Sequence, residues 1–566
     1  MKKKLSRKMS CFISMIAALT LAVPSVGLAA EEKAISQEEL EELKQELQKE
    51  IDEYGTADYE EVLVEELADS GLAEDAGMTW EAGTLSEASS QGALAENNAQ
   101  EFFNTEEYAS ITEKGFTRVS TDPLSTFAAD VDTGSYCNLR RMIREGYSLQ
   151  DIPSGAIRTE ELLNYFDYVV DEEHLSDGKF SVQYETTLCP WNEENQLLLM
   201  TVQANEEDRD NAGNNFVLLL DTSGSMDYAE KIALAKCSFK LLCYTLTEND
   251  RVSIVTYSGD SYTALDSCPG DDYEQICSAL DSILPYGGTN GSGGIQAAYD
   301  LARKNYIEGG NNRIFIASDG DMNLGITDTS GLVDLITEEK ESGIFLSVLG
   351  FGTGNYSDLN MESIADAGNG NYFYIDCLDE AQHVLIENQK QTSLTVAKDV
   401  KFQAEFNPGM VSEYRLIGYE NRDVADDDFL NDAVDGGEVG AGAQVTILYE
   451  LVPADGENTS SDLKYQGSRS LTRAAESDDL LTLSVNYKDP EDESSQTEEY
   501  VVKENDLGRS VDMNLAISLA ELSSAIHNGA GDEELEQISE FAGKCDESGN
   551  IYRMGYQMMV ESLSNL

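Results

Sequence analysis

Five side chains on three short stretches have the types and neighbours needed to hold a small, hard cation. The stretches are Asp221-Thr222-Ser223-Gly224-Ser225-Met226, then Gly287-Gly288-Thr289-Asn290-Gly291, then Ser318-Asp319-Gly320-Asp321. Ser223 and Ser225 alternate about Gly224, which permits a tight turn, so both hydroxyls can converge on one point. Thr289 offers a third hydroxyl, while Asp221 and Asp319 supply negative charge and can hold ordered waters. Mg2+ takes six oxygens in near-octahedral geometry and keeps several waters. Mn2+ and Ca2+ accept the same donors, and a small, hydroxyl-rich set leans to Mg2+. Neutral direct ligands leave the ion electrophilic, so an open position favours a carboxylate from a partner. That is binding chemistry, with no reaction required. Asp-x-Ser-x-Ser by itself also fits a helix N-cap; the signal lies in three pieces arriving in order at three strand ends.

Those pieces need a scaffold that ends strands side by side. Residues 216–220 form a continuous apolar run, as a strand covered on both faces requires. Beyond it the pattern alternates. Strands are expected over 252–257, 313–318, 344–349 and 372–375, and helices over 231–245, 271–282, 295–305, 331–340, 358–367 and 378–389. Alternating strands and helices imply an α/β fold, a doubly wound and mostly parallel sheet over 214–390, with sites at the carboxyl ends of its strands.

The flanks read differently. Residues 1–29 carry a basic start (Lys2, Lys3, Lys4, Arg7, Lys8), an apolar stretch and small residues Gly27 and Ala29 at a cleavage position, the pattern of a secretory signal. Residues 30–104 read as an acidic helical or disordered linker. Within it Ser36 and Glu39 form a capping box, and Leu40, Leu43, Leu47 and Ile51 repeat at helical spacing on an otherwise solvated helix. Residues 105–205 read as an N-terminal α+β domain, with strands over 124–131, 180–188 and 196–204 and helices over 136–145 and 159–165. Residues 396–566 read as a β-rich C-terminal domain with strands over 400–406, 445–451 and 480–487, closed by helices over 512–527 and 533–542. The polar stretches 458–478 and 489–498 read as loops, and the paired acids Glu160 and Glu161 as a solvated helix face.

The motif residues give the middle of the chain a family resemblance. The span 216–389 resembles the von Willebrand factor A domain with an intact metal-ion-dependent adhesion site: Asp221, Ser223 and Ser225 match its first motif, Thr289 its second and Asp319 its third. The resemblance implies direct binding by Ser223, Ser225 and Thr289, with Asp221 and Asp319 acting mainly through water. The flanks are similar to the bacterial YfbK-like secreted family. Leu124-Ser125-Thr126-Phe127, Asp130-Val131-Asp132-Thr133 and 160–166 resemble its N-terminal domain, and 414–422 and 437–442 its C-terminal domain. The chain departs from that family at Ala443-Gln444, where Gly-His is usual, and at Ser318, where Thr is usual; neither is a proposed ligand.

Charge narrows the partners. A formal net charge of -70 repels nucleic acid and anionic lipid headgroups and attracts cations and basic partners. The open position on the cation is what calls for a protein or cell-envelope ligand presenting an Asp or Glu carboxylate, with membrane contact only if the signal segment is retained. A secreted, cell-surface or periplasmic location follows from the signal pattern. The three histidines, His174, His383 and His527, lie in no recognised motif, and neither a nucleophile elbow nor a phosphate-binding loop occurs, so a binding protein is expected rather than an enzyme. A structural envelope scaffold with a stabilising cation is the alternative, and a hydrolase a more distant one. Cys237 and Cys243 fall on different faces of one helix, and the scattered cysteines fit buried thiols.

Overall fold

One strand sets the centre of the fold. Along Asn214–Asp221, Phe216, Leu218 and Leu220 face one way, Val217 and Leu219 face the other, and all five are fully buried. A strand with no polar side has to be covered on both faces. The computed structural model describes residues 35–55, 111–129, 131–205, 212–287, 291–320, 342–352, 358–432, 436–454, 471–490, 494–505, 508–546 and 548–563, with isolated positions between them. The expected signal over 1–29, and the 30–104 segment apart from its helix, lie outside these stretches.

Strands are numbered β1 to β16 along the chain. The central sheet runs β10 (Tyr372–Ile375), β9 (Phe345–Phe351), β8 (Asn311–Ser318), β5 (Asn214–Asp221), β6 (Arg251–Tyr257) and β7 (Ser261–Pro269). All neighbours are parallel except β7, which turns back along β6 as an antiparallel edge. The doubly wound α/β sheet expected from the alternating pattern is therefore present. The edge strand was not expected; most of its side chains are exposed, so it lacks the apolar alternation that marks a strand. Helices Leu234–Tyr244, Tyr273–Asp281 and Leu378–Gln382 cover one face. Gly291–Lys304 and Asp358–Ala367 cover the other.

The flanks do not form two separate domains. β4 (Gln196–Ala204) pairs on one side with β3 (Phe180–Leu188) and on the other with β14 (Gln444–Pro453), which leads to β12 (Val411–Ile417) and β1 (Thr117–Arg118). A second sheet runs β13 (Gly437–Gly440), β11 (Thr395–Phe406), β15 (Asp479–Lys488) and β16 (Ser495–Lys503), with β2 (Leu124–Ala128) also paired to β11. Side chains of both sheets, among them Met200, Val202, Phe402, Leu483, Ile447 and Tyr449, share one apolar cluster. The expected domains at 105–205 and 396–566 are thus one interleaved β-structure, with the central α/β domain inserted between β4 and β11. Each segment supplies strands whose hydrogen-bonding edges the other must satisfy. The loop expected over 489–498 also gives way to strand at Ser495. Helices Val511–Asn528, Asp532–Ala542 and Ile551–Leu563 pack with Gly134–Glu145 and Thr159–Asn164 in the cluster beneath the central sheet.

Two further expectations are corrected. Glu160 and Glu161 are buried rather than solvated: Glu161 pairs with Arg158 and accepts from Ser135 N and Oγ, while Glu160 accepts from Tyr419 N at 2.9 Å. Ser135 and Tyr419, both distant in sequence, help to satisfy these carboxylates, which local pattern cannot reveal. The helix Gln37–Glu53 has the expected capping box. Its apolar stripe, however, is docked and not solvated: Leu40, Leu47 and Ile51 are buried in the cluster that includes Cys237, Leu241 and Leu385. Lys44 bridges to Asp379 at 2.6 Å, Glu50 pairs with Lys240, and Tyr54 Oη donates to Asp227 at 2.8 Å. The eight cysteines among the described residues are free thiols, and among those residues no helix is long and apolar enough to cross a membrane.

Leu47 is 2% exposed at the middle of that docked stripe. Leu47→Ala is expected to lower stability by about 2–4 kcal/mol in urea unfolding, with the helix becoming the first site of protease cleavage. An unchanged midpoint would show that the helix does not contribute its packing to the folded state.

Candidate metal centre

The end of β5 delivers Asp221 to the carboxyl edge of the sheet, and the next residues form a turn. Both Asp221 oxygens are engaged by that edge: Oδ1 accepts from Ser223 N at 2.9 Å, and Oδ2 from Ser318 Oγ at 3.0 Å. The first bond folds the loop back on its own strand. The second joins the ends of β5 and β8, which are parallel neighbours. Ser223 Oγ and Ser225 Oγ then lie 3.0 Å apart, with Ser223 buried and Ser225 partly exposed. Asp319 follows Ser318 and is fully buried.

The second loop also comes to this place. Gly224 N donates to Gly287 O at 3.2 Å, and Tyr286 N to Thr222 O at 2.6 Å. Thr289 itself lies outside the described residues. The following helix sits tight on the sheet because Gly294 has no side chain; a Cβ there would come 2.7 Å from Tyr257 Cβ. Of the five residues singled out by spacing, four therefore share one locus, and the loop that carries the fifth abuts it.

The locus gathers buried negative charge. Burial, and then the nearby Asp319 carboxylate, push Asp221 up to about 7, although Ser223 and Ser318 donate to it. Burial and then the Asp221 charge push the Tyr257 phenol well above its ordinary range. Two carboxylates in a dry place need a positive partner. The structure supplies one that spacing did not suggest: Lys231 Nζ lies 2.8 Å from Asp319 Oδ2, and both side chains are buried. A lysine six positions after Ser225, at the start of a helix, reads from sequence as a solvated residue. Ser318, likewise, was legible only as a strand-end residue and not as the donor to Asp221.

The donor set fits a small divalent ion. Adjacent ligands of an octahedral Mg2+ with bonds of 2.0–2.1 Å stand about 2.9 Å apart, close to the 3.0 Å between the two serine hydroxyls. Other clusters fit less well. Cys137, Asp376 and Glu380 bring ligand atoms together, but Arg140 already pairs with both carboxylates there. Asp171, Glu173 and His174 lie near the surface. The other histidines are remote from the centre: His383 packs against Tyr552 and Tyr165, and His527 Nε2 is 2.8 Å from Ile157 O.

Comparison with known proteins identifies the family of the chain. The family described as von Willebrand factor type A domain matches residues 216–321, the one described as von Willebrand factor matches 102–199, and the one described as uncharacterized protein YfbK, C-terminal, matches 391–566. The uncharacterized protein YfbK of Escherichia coli (strain K12) is 38% identical over 492 residues, covering 84% of this chain and 84% of that protein. The chain belongs to the YfbK family. Within that family the central domain is of von Willebrand A type, a class of protein-interaction module. Among solved structures, a von Willebrand factor type A protein from Catenulispora acidiphila is 16% identical with a TM-score of 0.40, covering 69% of this chain and 90% of its own. The ArnB paralog VWA2 from Sulfolobus acidocaldarius is 15% identical with a TM-score of 0.33, covering 69% and 98%.

The raised Asp221 carboxyl gives a test with a clear sign. A buried acid held above its unfolded value lowers stability as pH rises from the unfolded value through the folded one. Asp221→Asn removes that charge, and its amide can still accept from Ser223 N and donate to Ser318 Oγ. In metal-free protein at pH 8 the variant is expected to melt higher than wild type, with the gain disappearing toward pH 4. A lower melting temperature at both pH values would contradict this account of the site.

Proposed function

We propose that this chain is an extracytoplasmic binding protein that captures a partner through a divalent cation, Mg2+ by preference, at Asp221, Ser223, Ser225, Thr289 and Asp319. The observation that supports it most is the pair of serine hydroxyls 3.0 Å apart beside the buried carboxylates Asp221 and Asp319, at the ends of neighbouring parallel strands. Ser223, Ser225 and Thr289 would hold the ion directly. Asp221, with both oxygens already accepting from protein donors, suits an indirect role through water, and Asp319 supplies further charge. When bound, the ion supplies a Lewis-acidic position for an oxygen anion.

The residues of the chain do the rest. The Asp221 contacts hold the first loop so that the serines converge, and the loop containing Gly287 is tied to it through Gly224 and Thr222. Thr222 Oγ1 donates to Tyr257 O at 3.0 Å and fixes the loop to β6 as well. The ligand is a carboxylate of a protein or cell-envelope partner. The strongly negative chain favours one that is basic around that carboxylate. The basic and apolar start of the sequence supports action at the cell surface, in the periplasm or in the medium.

Affinity capture from cell envelope and culture fluid tests the reading. Mg2+-dependent partners should bind wild type, and both EDTA and Asp221→Ala should reduce capture at least about tenfold, as expected for loss of the central interaction. Capture that survives both treatments would rule out a cation-mediated contact. Strong Mg2+ stabilisation in a thermal shift without any metal-dependent partner would instead favour a scaffold role.

A further inference from the structure

Lys231 is the charged side chain beside these carboxylates that neither the motif nor the proposed ligand set uses. It lies in the five-residue π turn Ala229–Ala233, directly after the loop that carries the serines. Turns of this kind are rare and concentrate at functional sites. Its side chain is buried along its length, and the fold makes room for the stem. Gly352, just after β9, has a φ of +78°, and a Cβ there would lie 2.3 Å from Lys231 Cγ. The carbonyl of Gly352 is fixed by Tyr374 Oη at 2.9 Å. At the tip, Nζ meets Asp319 Oδ2 at 2.8 Å and stands 5.6 Å from the centre of the Tyr228 ring. Burying an ammonium is costly, so a lysine threaded through a glycine gap to reach a ligand carboxylate is there for its charge.

The charge count shows what that does. With both carboxylates ionised, as they are against a bound dication, Asp221 and Asp319 without a lysine would give a centre of two negative charges, which the divalent ion neutralises. A partner carboxylate would then add an unbalanced negative charge in a buried place. With Lys231 the centre carries one negative charge, the bound ion takes it to one positive, and the partner carboxylate closes it at neutrality. We propose that Lys231 is the resident counter-cation of the centre: a positioning residue that holds Asp319, keeps the divalent ion exchangeable, and leaves the loaded site cationic toward an anionic ligand. The proposal rests on the cation-binding reading above and deepens it, since it assigns the site's preference for carboxylates to a residue outside the ligand set.

Mg2+ alone is the probe, followed by titration calorimetry and by thermal shift on the full chain. Lys231→Met should bind Mg2+ at least about tenfold more tightly than wild type, because a positive charge next to a dication is removed from a place of low dielectric. Lys231→Arg, which keeps the charge, should stay within about threefold of wild type. Without metal, Lys231→Met should melt lower than wild type, and saturating Mg2+ should recover more of its melting temperature than it adds to wild type. Equal or weaker Mg2+ binding by Lys231→Met would overturn the proposal, because a lysine that merely supports the loop leaves the affinity unchanged or lowers it. Lys231→Gln is made alongside, and both neutral variants are refolded from urea with and without Mg2+. Recovery that depends on Mg2+ supports the proposal, and failure to fold at saturating Mg2+ overturns it. Wild type that takes up no Mg2+ defeats the cation-binding reading itself. Wild type that binds while the neutral variants match it defeats only the role given to Lys231.

Discussion

Negative charge held out of water at the ends of two neighbouring strands is the condition around which this structure is built. β5 and β8 run parallel and adjacent, so the residues that end them, Asp221 and Ser318-Asp319, must meet. Both carboxylates are buried, and the dry surroundings raise the cost of leaving either uncompensated. The Ser223 amide, the Ser318 hydroxyl and the Lys231 ammonium each answer part of that demand. What these groups leave is a pair of hydroxyl oxygens beside a partly balanced charge, a donor set that suits a hard cation.

The rest of the molecule holds the sheet that makes this meeting possible. The central domain is inserted into a β-structure whose strands come from both sides of it in the sequence, so neither flank can complete its pairing alone. Buried ion pairs cross the same boundaries. Arg158 reaches Glu362 at 2.9 Å, Arg422 reaches Glu362 at 2.8 Å, and Arg140 joins Asp376 and Glu380. Breaking such a pair strands a charge, so these contacts favour one arrangement of domain and flank over any that leaves them apart. The helix Gln37–Glu53 adds a clamp from the N-terminal side, and its last contact, from Tyr54 to Asp227, lies two residues beyond Ser225.

Much of the central domain was legible because its code is local. A run such as 216–220 is apolar at every position, as a strand covered on both faces requires. The spacing of Asp221, Ser223 and Ser225 foretold convergence because alternating residues about a glycine turn share a side. Other features had no local signature. Edge strand β7 is mostly exposed, β12 and β16 mix polar and apolar residues, and the docking of Leu47 against Cys237 is a contact between segments nearly two hundred positions apart.

The sequence by itself determined the five parallel strands of the central sheet and the order of the loops that carry the candidate oxygen donors, because periodicity and spacing act within a turn or a strand. Tertiary structure alone decided that the flanks interleave, that Glu160 and Glu161 are buried, and that Lys231 points inward to Asp319. Charge is satisfied through space, and the partner that satisfies it can lie anywhere along the chain.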